Sequence, residues 1–314
     1  MHPDANKIIL FHIKLDILPA IQPNAPMKKP RVAYVTYVVD PADPDIDLDM
    51  EIFLRALAMR GIDAAAEVWD DPRADWASYD MALVRSTWDY TRQREKYLEW
   101  ARRVSAVTRL VNPYEMLSDN TDKRYLLKIA ECGVPIIPTL FLDGPADLKG
   151  ELPGMEAGWV VKPVVDAGAR GASRHAEWKS VAETVRAHFA RSAVPLMLQP
   201  YLPEVDTAGE IAVICCMGRP THAVIKKPAL SEGGHGDFAG RAEIIGPLRA
   251  FVEKALSLPA ARGTYADLLY ARVDVVPRDG GYQLMELEAT EPYLFLPSCE
   301  KSADVFANAV AAML

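Results

Sequence analysis

The sequence predicts an α/β unit with a doubly wound, Rossmann-like parallel sheet, followed by α+β structure. Two observations support this prediction. Over residues 31–113, strand-like apolar runs alternate with segments of helical periodicity, as in a parallel sheet that is covered by helices. From residue 209 onward, strand-like runs come in pairs joined by short turns, which is typical of antiparallel sheets. The length of 314 residues fits more than one domain.

The composition indicates an ordinary globular protein that can bury a sizeable core. Half of the residues are hydrophobic and a quarter are charged. The net charge of −8 argues against nucleic acid or an anionic membrane as the main partner. The four cysteines form no CxxC motif and no secreted-type framework, so we expect a reduced, cytoplasmic chain.

Residues 1–30 are predicted to be an N-terminal extension and linker. The apolar run at 8–11 is too short for a signal peptide. Four prolines between Pro19 and Pro30 prevent a helix there. No run in the chain is long enough to span a bilayer.

The regular pattern begins at Arg31. The β-branched run at 32–39 predicts a buried strand, and helical spacing over 50–58, stopped by Gly61, predicts a helix. Further strands are predicted near 64–69 and 81–84, and a further helix over about 94–104.

Arg85 lies in the stretch RSTWDY at residues 85–90, which follows a predicted parallel strand. Ligands of doubly wound sheets bind beyond the carboxyl ends of the strands. We therefore interpret Arg85 as an anchor for a substrate carboxylate. A capped loop with buried aromatic side chains is the alternative.

Two lysines are candidates for phosphate binding. Asn120 or Thr121 is predicted to open a helix that ends at Gly133, and Lys123 in its first turn opposes the helix dipole unless it faces an anion. Lys162 leaves a predicted strand just before a loop of small residues. There Gly168 and Gly171 can bring backbone N–H groups close to phosphates. For Lys123, an ordinary exposed lysine is the alternative.

The stretch QPYLPE at residues 199–204 is predicted to be a hinge between two subdomains. Its main chain, over Gln199, Tyr201 and Leu202, can contact an adenine edge, and Glu204 can accept hydrogen bonds from ribose hydroxyls. A proline-rich loop with an exposed acid is the alternative. The loop at 166–173 matches neither the P-loop nor the dinucleotide-binding fingerprint.

A pair of antiparallel strands is predicted over 209–216 and 223–228. Lys226 and Lys227 are neighbours on the second strand, so at most one of them can face a nucleotide. The glycine-rich stretch 233–238 is a candidate flexible loop over phosphates, and His235 within it has no second histidine at metal-ligand spacing. No Ser-His-Asp or Cys-His arrangement is evident in the sequence.

The C-terminal part contains two alternating motifs, Arg272-Val-Asp274 and Glu286-Leu-Glu288, separated by a turn signal at residues 278–281. Period-two alternation puts each charged pair on one face of a strand. An odd-numbered loop would place Asp274 opposite Glu286. Carboxylates gathered in this way need a compensating cation, and hard oxygen ligands suit magnesium. The solvated face of an edge hairpin is the alternative.

The order of these motifs resembles the ATP-grasp superfamily over about residues 31–314. The most similar branch contains D-cycloserine synthetase, an O-ureido-D-serine cyclo-ligase. The resemblance lies in six stretches: RSTWDY (85–90), VNP (111–113), NTDKRYLL (120–127), VVKPVVDAGARG (160–171), QPYLPE (199–204) and MELEATEPYLFL (285–296).

The resemblance implies an ATP-grasp fold with three parts: a pre-ATP-grasp domain at 31–113, and α+β subdomains at 114–198 and 199–314 that clamp the nucleotide. It implies that two Mg²⁺ ions, for which Mn²⁺ can substitute, are held by metal ligands at the last hairpin. It also implies ATP as cofactor and a transferring phosphoryl group stabilised by Arg272. The implied ATP-binding residues are Lys123, Lys162, Gly168, Gly171, Gln199, Tyr201, Leu202, Glu204 and Lys226. The implied metal ligands are Asp274, Glu286 and Glu288, and Lys227 and Arg85 join Arg272 as candidate catalytic residues.

The activity implied by the resemblance is ATP-dependent C–N ligation. A small carboxylic acid, such as an amino acid derivative, becomes an acyl phosphate that an amine-like nucleophile attacks. The attack is intramolecular in the cyclo-ligase, which would place the chain in antibiotic biosynthesis, and a ligase that joins two molecules is the alternative. A non-catalytic nucleotide-binding module is a further alternative, and a homodimer is possible. Many ATP-grasp ligases carry asparagine at the position of Glu288.

Overall fold

The computed structural model describes residues 28–41, 46–149, 156–230 and 238–314. The extension predicted over residues 1–30 lies outside these ranges except for residues 28–30. The glycine-rich stretch at 233–238 also lies outside them, apart from Phe238. The described residues form three sheets.

Four parallel strands form the first sheet, in the spatial order second, first, third, fourth. Two helices, α1 (Met50–Ala58) and α2 (Arg94–Ser105), connect them and pack on opposite faces. This confirms the predicted doubly wound sheet. The strands are β1 (Arg31–Thr36), β2 (Asp63–Val68), β3 (Met81–Ser86) and β4 (Arg109–Val111).

Strand β1 is apolar from Val32 to Val35 because both faces of the sheet are covered. Val32 and Tyr34 pack with α1 and with the C-terminal helix, which is numbered α8 (Glu300–Met313). Ala33 and Val35 face the other way, into an aromatic cluster beneath α2. A strand that is buried on both faces loses the polar alternation of a half-exposed strand.

The prediction that a helix opens at Asn120 is wrong for the first turn of that helix. Helix α3 (Tyr114–Asn120) ends there, and α4 (Tyr125–Glu131) begins after a turn that contains Lys123. Long-range hydrogen bonds explain the break. The side chain of Asn120 bonds to the backbone beyond residue 286, and the Lys123 N–H donates to the carbonyl of Val164 at 2.8 Å.

The second sheet is antiparallel and has the spatial order β5-β8-β6-β7. Its strands are β5 (Leu140–Leu142), β6 (Trp159–Pro163), β7 (Ser173–His175) and β8 (Leu196–Pro200). Helix α5 (Trp178–Phe189) covers one face through Val181 and Val185. Lys162 lies near the end of a strand, as predicted from the sequence, and that strand, β6, is central in the sheet.

The third sheet is antiparallel and five-stranded, in the spatial order β11-β10-β9-β12-β13. The chain enters it through a short helix, α6 (Glu204–Ala208), and α7 (Gly246–Leu256) packs on one of its faces. Strands β9 and β10 are the predicted antiparallel pair. The five strands are β9 (Glu210–Cys216), β10 (Arg219–Lys226), β11 (Phe238–Ala242), β12 (Tyr270–Arg278) and β13 (Gly281–Glu288).

The register of the β12–β13 hairpin is the predicted one, but it arises in another way. Arg272 pairs with Glu288, and Asp274 pairs with Glu286. The loop has two residues, Asp279 and Gly280, both with positive φ, as a tight hairpin turn requires. A β-bulge between residues 284 and 286 supplies the extra residue that shifts the register.

Asn112 joins the first sheet to the third. This fully buried residue follows β4, and its Nδ2 donates to the carbonyls of Tyr270 (2.9 Å) and Ala289 (2.7 Å). Its Oδ1 accepts from the N–H of Leu269 at 3.2 Å. No helix in the described ranges is long and apolar enough to cross a membrane.

We expect Asn112→Ala to lower the free energy of unfolding by about 3 kcal/mol, because it leaves buried backbone groups without partners. Denaturant titration measures this change. The control is Asn308→Ala on the exposed face of α8, which loses only a solvent-exposed hydrogen bond from Arg60, so we expect a loss below about 1 kcal/mol. Similar losses in both variants would mean that Asn112 does not hold the junction.

Candidate active site

One cavity of about 770 Å³ is lined by all three parts of the fold. Its lining changes in character from one region to the next. The apolar region contains Val160, Leu202, Val205 and Met285, and the aromatic region contains Trp88, Tyr90, Tyr293 and Phe295. The charged region contains Lys123, Lys162, Lys226, Arg272 and the carboxylates that pair with them. Most of the residues that the sequence singled out lie in the apolar and charged regions.

The apolar region contains the predicted hinge. Gln199, Tyr201 and Leu202 all line the cavity, together with apolar side chains from β6 and β13. The Gln199 amide donates to the hydroxyl of Thr139 at 2.9 Å, and the Arg174 guanidinium stacks 3.4 Å from the centre of the Tyr201 ring. These contacts hold the wall in place. The wall forms an apolar slot that a flat ring can occupy.

Glu204 does not line this cavity. It is the first residue of α6, and its carboxylate lies 3.7 Å from the guanidinium of Arg278. Its neighbour Val205 lines the slot instead. We predicted that Glu204 contacts a ribose. Its side chain does not lie where it could contact a ribose bound in this cavity.

Lys123 and Lys162 meet at Glu286 in the charged region. The Lys162 ammonium donates to Glu286 Oε1 at 2.8 Å, and the Lys123 ammonium lies 3.7 Å from Oε2. Lys123 also donates to the backbone carbonyl of Asp166 at 2.6 Å. Burial alone would raise the pKa of Glu286, but the two lysines outweigh it and lower the pKa to about 2.

Arg272 and Lys226 surround Asp274. The guanidinium binds both oxygens of Asp274, with Nε–Oδ1 at 2.9 Å and Nη2–Oδ2 at 2.8 Å. The Lys226 ammonium donates to Oδ2 at 2.9 Å, and Arg272 also pairs with Glu288. Burial opposes ionisation of Asp274, but these two cations hold its pKa well below the usual range.

Glu210 completes the charged region and was missed in the sequence. It is the cross-strand partner of Lys226, and the two side chains form an ion pair. Burial raises the pKa of Glu210 to about 7, Lys226 opposes this rise, and Asp274 adds to it. The antiparallel pairing of β9 with β10 was predicted, so its register would have identified Glu210 as facing Lys226.

The carboxylates of the last hairpin are balanced by protein cations. The sequence analysis inferred that they need a compensating cation, and lysine and arginine side chains meet that need. Within the described ranges, no three Asp, Glu, His or Cys side chains converge closely enough to form a metal cage. Glu286 and Glu288 nevertheless line the cavity and present oxygen ligands of the kind that Mg²⁺ prefers.

The small-residue loop after Lys162 borders the charged region. Gly168 lines the cavity and has a φ of 66°, a conformation that favours glycine. A Cβ at Gly171 would lie 2.7 Å from the Pro163 ring, so Gly171 allows the loop to pack against β6. Asp166, which the sequence analysis did not select, also lines the cavity.

The placements of Lys227 and Arg85 correct two sequence-based interpretations. Lys227 is exposed beyond the end of β10 and does not line the cavity, whereas Lys226 does. Arg85 is 2% exposed and lies beneath the site. It donates to the carbonyl of Pro292 at 2.6 Å, and its guanidinium stacks 4.6 Å from the Tyr270 ring centre. The predicted direct contact between Arg85 and a substrate therefore does not fit this burial.

Arg85 belongs to a set of buried contacts that hold residues 289–296, here called the anchored segment. Asp49, which lies 3.9 Å from Arg85, accepts the N–H groups of Leu294 (2.6 Å) and Leu296 (2.8 Å). The Tyr270 hydroxyl donates to the carbonyl of Thr290 at 3.1 Å. The first sheet thus orients a segment that forms one wall of the aromatic region.

Comparison with known proteins identifies the family. Residues 32–112 match the family model for the N-terminal domain of D-cycloserine synthetase DcsG. The cycloserine biosynthesis protein DcsG of Streptomyces lavendulae is 32% identical over 293 residues, which are 88% of this chain and 97% of that protein. The chain belongs to the ATP-grasp ligases.

Solved structures agree with this assignment. The crystal structure of D-cycloserine synthetase DcsG superposes with a TM-score of 0.80 at 30% identity, over 90% of this chain and 99% of that one. A RimK-domain ATP-grasp protein from Sphaerobacter thermophilus gives 0.65 at 15% identity, over 90% and 99%. The ATP-grasp ligase PsnB, solved with Mg and ADP, gives 0.59 at 17% identity, over 90% and 97%. The last two are similar in fold alone. The predicted ATP-grasp fold is confirmed, and the chain is an ATP-dependent ligase that forms C–N bonds.

We expect Arg85→Ala to lower the free energy of unfolding by about 3 kcal/mol, because it leaves Asp49 as a buried charge without its cation. Denaturant titration and ADP affinity are the two measurements, and ADP affinity should remain unchanged. The matched control is Arg55→Ala, an exposed residue of α1 whose pair with Glu51 contributes below about 0.5 kcal/mol. A small loss for Arg85→Ala together with weaker ADP binding would contradict the anchoring role.

Proposed function

We propose that this ligase activates a small-molecule carboxylate, an amino acid derivative, as an acyl phosphate. A nitrogen nucleophile within the same molecule then attacks the acyl carbon, as in the cyclisation of O-ureido-D-serine to D-cycloserine. The observation that supports this most is the similarity to DcsG, which extends over nearly the whole length of both chains. The apolar slot and the charged region of the cavity also support this proposal.

The apolar slot at the hinge would take adenine. The adjacent charged region would take the phosphates, with Lys123 and Lys162 as their ligands. Backbone groups near Gly168 would add further N–H donors, as small-residue loops do for phosphates in other folds. ATP would then extend from the hinge towards Arg272, with its γ-phosphate next to the aromatic region.

Asp274, Glu286 and Glu288, which all line the cavity, would hold magnesium. Magnesium is usually held by one or two carboxylates plus the phosphates of the substrate, so a site without an all-protein cage suits it. The lowered pKa of Glu286 keeps this carboxylate ionised at neutral pH, which is the form that binds metal. When bound, such ions neutralise charge on the phosphates, and we propose two of them by analogy with the family.

Arg272 would act on the transferring phosphoryl group. The attacking oxygen of the acid forms a bond to the γ-phosphorus while the bond to ADP breaks, which yields ADP and the acyl phosphate. The nitrogen nucleophile then forms the amide-type bond, loses a proton and releases phosphate. The positive charge of Arg272 offsets charge on the phosphoryl oxygens in both steps. Intramolecular attack benefits from a high effective concentration.

We expect Glu286→Gln to reduce ADP formation at least about 100-fold, because the substitution removes a metal-binding charge while keeping the shape of the side chain. The assay follows ADP release with Mg²⁺, ATP and a panel of D- and L-amino acid derivatives that includes O-ureido-D-serine. The control is Glu183→Gln, an exposed residue of α5, which should retain full activity. Full activity in Glu286→Gln would remove this residue from the metal site.

A labelling experiment separates cyclisation from the joining of two molecules. With an equal mixture of unlabelled and fully ¹³C-labelled acid, a cyclised product contains atoms of one acid molecule, so mass spectrometry shows two isotopologues. A dipeptide-type product would also show mixed isotopologues. We expect the first pattern, and mixed isotopologues would support the two-molecule ligase. If no acid in the panel supports ADP release, the proposed activity is wrong.

A further inference from the structure

Glu291 differs from the acidic side chains of the charged region and shares with Asp166 the lack of an ion pair among the described residues. It is 8% exposed, and it lines the cavity at the start of the aromatic region. Asp274, Glu286 and Glu288 each have a lysine or arginine within ion-pair distance. In the described part of the chain, the carboxylate of Glu291 forms no such ion pair.

The backbone around Glu291 is held firmly. The Trp88 indole donates to the carbonyl of Glu291 at 3.0 Å, and Arg85 binds the next carbonyl, that of Pro292. These bonds belong to the contacts that fix the anchored segment. The position of the Glu291 side chain is therefore set by the fold, as is usual for a group that orients a ligand.

The surroundings of Glu291 favour a cationic ligand. Burial raises the pKa of Glu291 to about 8, Glu288 adds to the rise, and Lys123, Arg272 and Tyr90 oppose it. Such a carboxylate lacks a close positive charge. Trp88 and Tyr293 line the same cavity, and aromatic rings attract ammonium groups, whereas Tyr90 hydrogen-bonds to the Glu291 carboxylate. A buried carboxylate beside aromatic rings is suited to a primary ammonium.

We infer that Glu291 binds the α-ammonium group of an amino acid substrate and holds it as a cation while the substrate carboxylate faces Arg272 and the γ-phosphate. This inference rests on the proposed function and specifies its substrate class. A nitrogen that is protonated and paired with Glu291 has no free lone pair, so it is not the nucleophile. The attacking nitrogen must therefore be a different one, either in the side chain of the substrate, as a cyclising reaction requires, or in a second molecule.

The test compares two acids that differ only in the α-amino group. They are the amino acid of the panel that supports the fastest ADP release and its des-amino analogue. We expect the wild type to prefer the amino acid by roughly 100-fold in kcat/KM, because the analogue leaves a buried polar group unpaired. In Glu291→Gln, kcat/KM for the amino acid should fall by roughly 100-fold, while the KM for ATP and the rate with the des-amino analogue stay within about threefold.

Two further measurements make the result specific. Calorimetry with a non-hydrolysable ATP analogue should show weaker binding of the amino acid by Glu291→Gln and unchanged binding of the des-amino analogue. The exposed control Glu183→Gln should behave as wild type in every assay. If Glu291→Gln loses activity equally with both acids, or loses none with the amino acid, the inference is wrong while the ligase activity stands. Absence of ADP release by the wild type would instead contradict the proposed function.

Discussion

The buried ion pairs on the third sheet are the interaction on which the site depends. A carboxylate removed from water is very unfavourable unless a cation and hydrogen bonds accompany it. Asp274 meets Lys226 and Arg272 of the same sheet, and Glu286 meets Lys162 of β6 and Lys123 of the turn before α4. The charges therefore remain ionised in the interior. The result is a polar surface, already arranged, between an apolar slot and an aromatic region.

Several residues act through position and not through contact with a ligand. Asp49, Arg85, Asn112 and Asn120 are buried, and all of them bond to the anchored segment or its borders. These contacts come from the first sheet and its flanking helices. This part of the fold therefore sets the shape of the cavity wall that the anchored segment forms. Such support holds a site within the small tolerances that catalysis requires. It also explains why a buried arginine can resemble a substrate anchor in the sequence.

Local patterns predicted most of the secondary structure and the charged strands, and they failed where distant contacts decide. The helix boundary near Lys123 depends on the carbonyl of Val164, and the position of Arg85 depends on a carbonyl 207 residues away. Alternation showed that only one of two adjacent lysines can face the site, but its partner Glu210 decides which one. The predicted hairpin register was right although the predicted odd-numbered loop was wrong, because a bulge compensates for the two-residue loop. The periodicity of the sequence indicates on which face of a strand or helix a residue lies. Packing between distant segments decides which residues contact that face.

The size and polarity of the cavity limit what the enzyme can take. A volume of about 770 Å³ lies in the range of small-molecule pockets and leaves room for a nucleotide and a small acid. The aromatic region combines aromatic side chains with Glu291, a carboxylate that forms no ion pair among the described residues. A zwitterionic acid placed there can direct its carboxylate towards the cations and its ammonium group away from them. Electrostatics alone would then select one orientation of the substrate. That orientation also determines which nitrogen stays unprotonated and can attack.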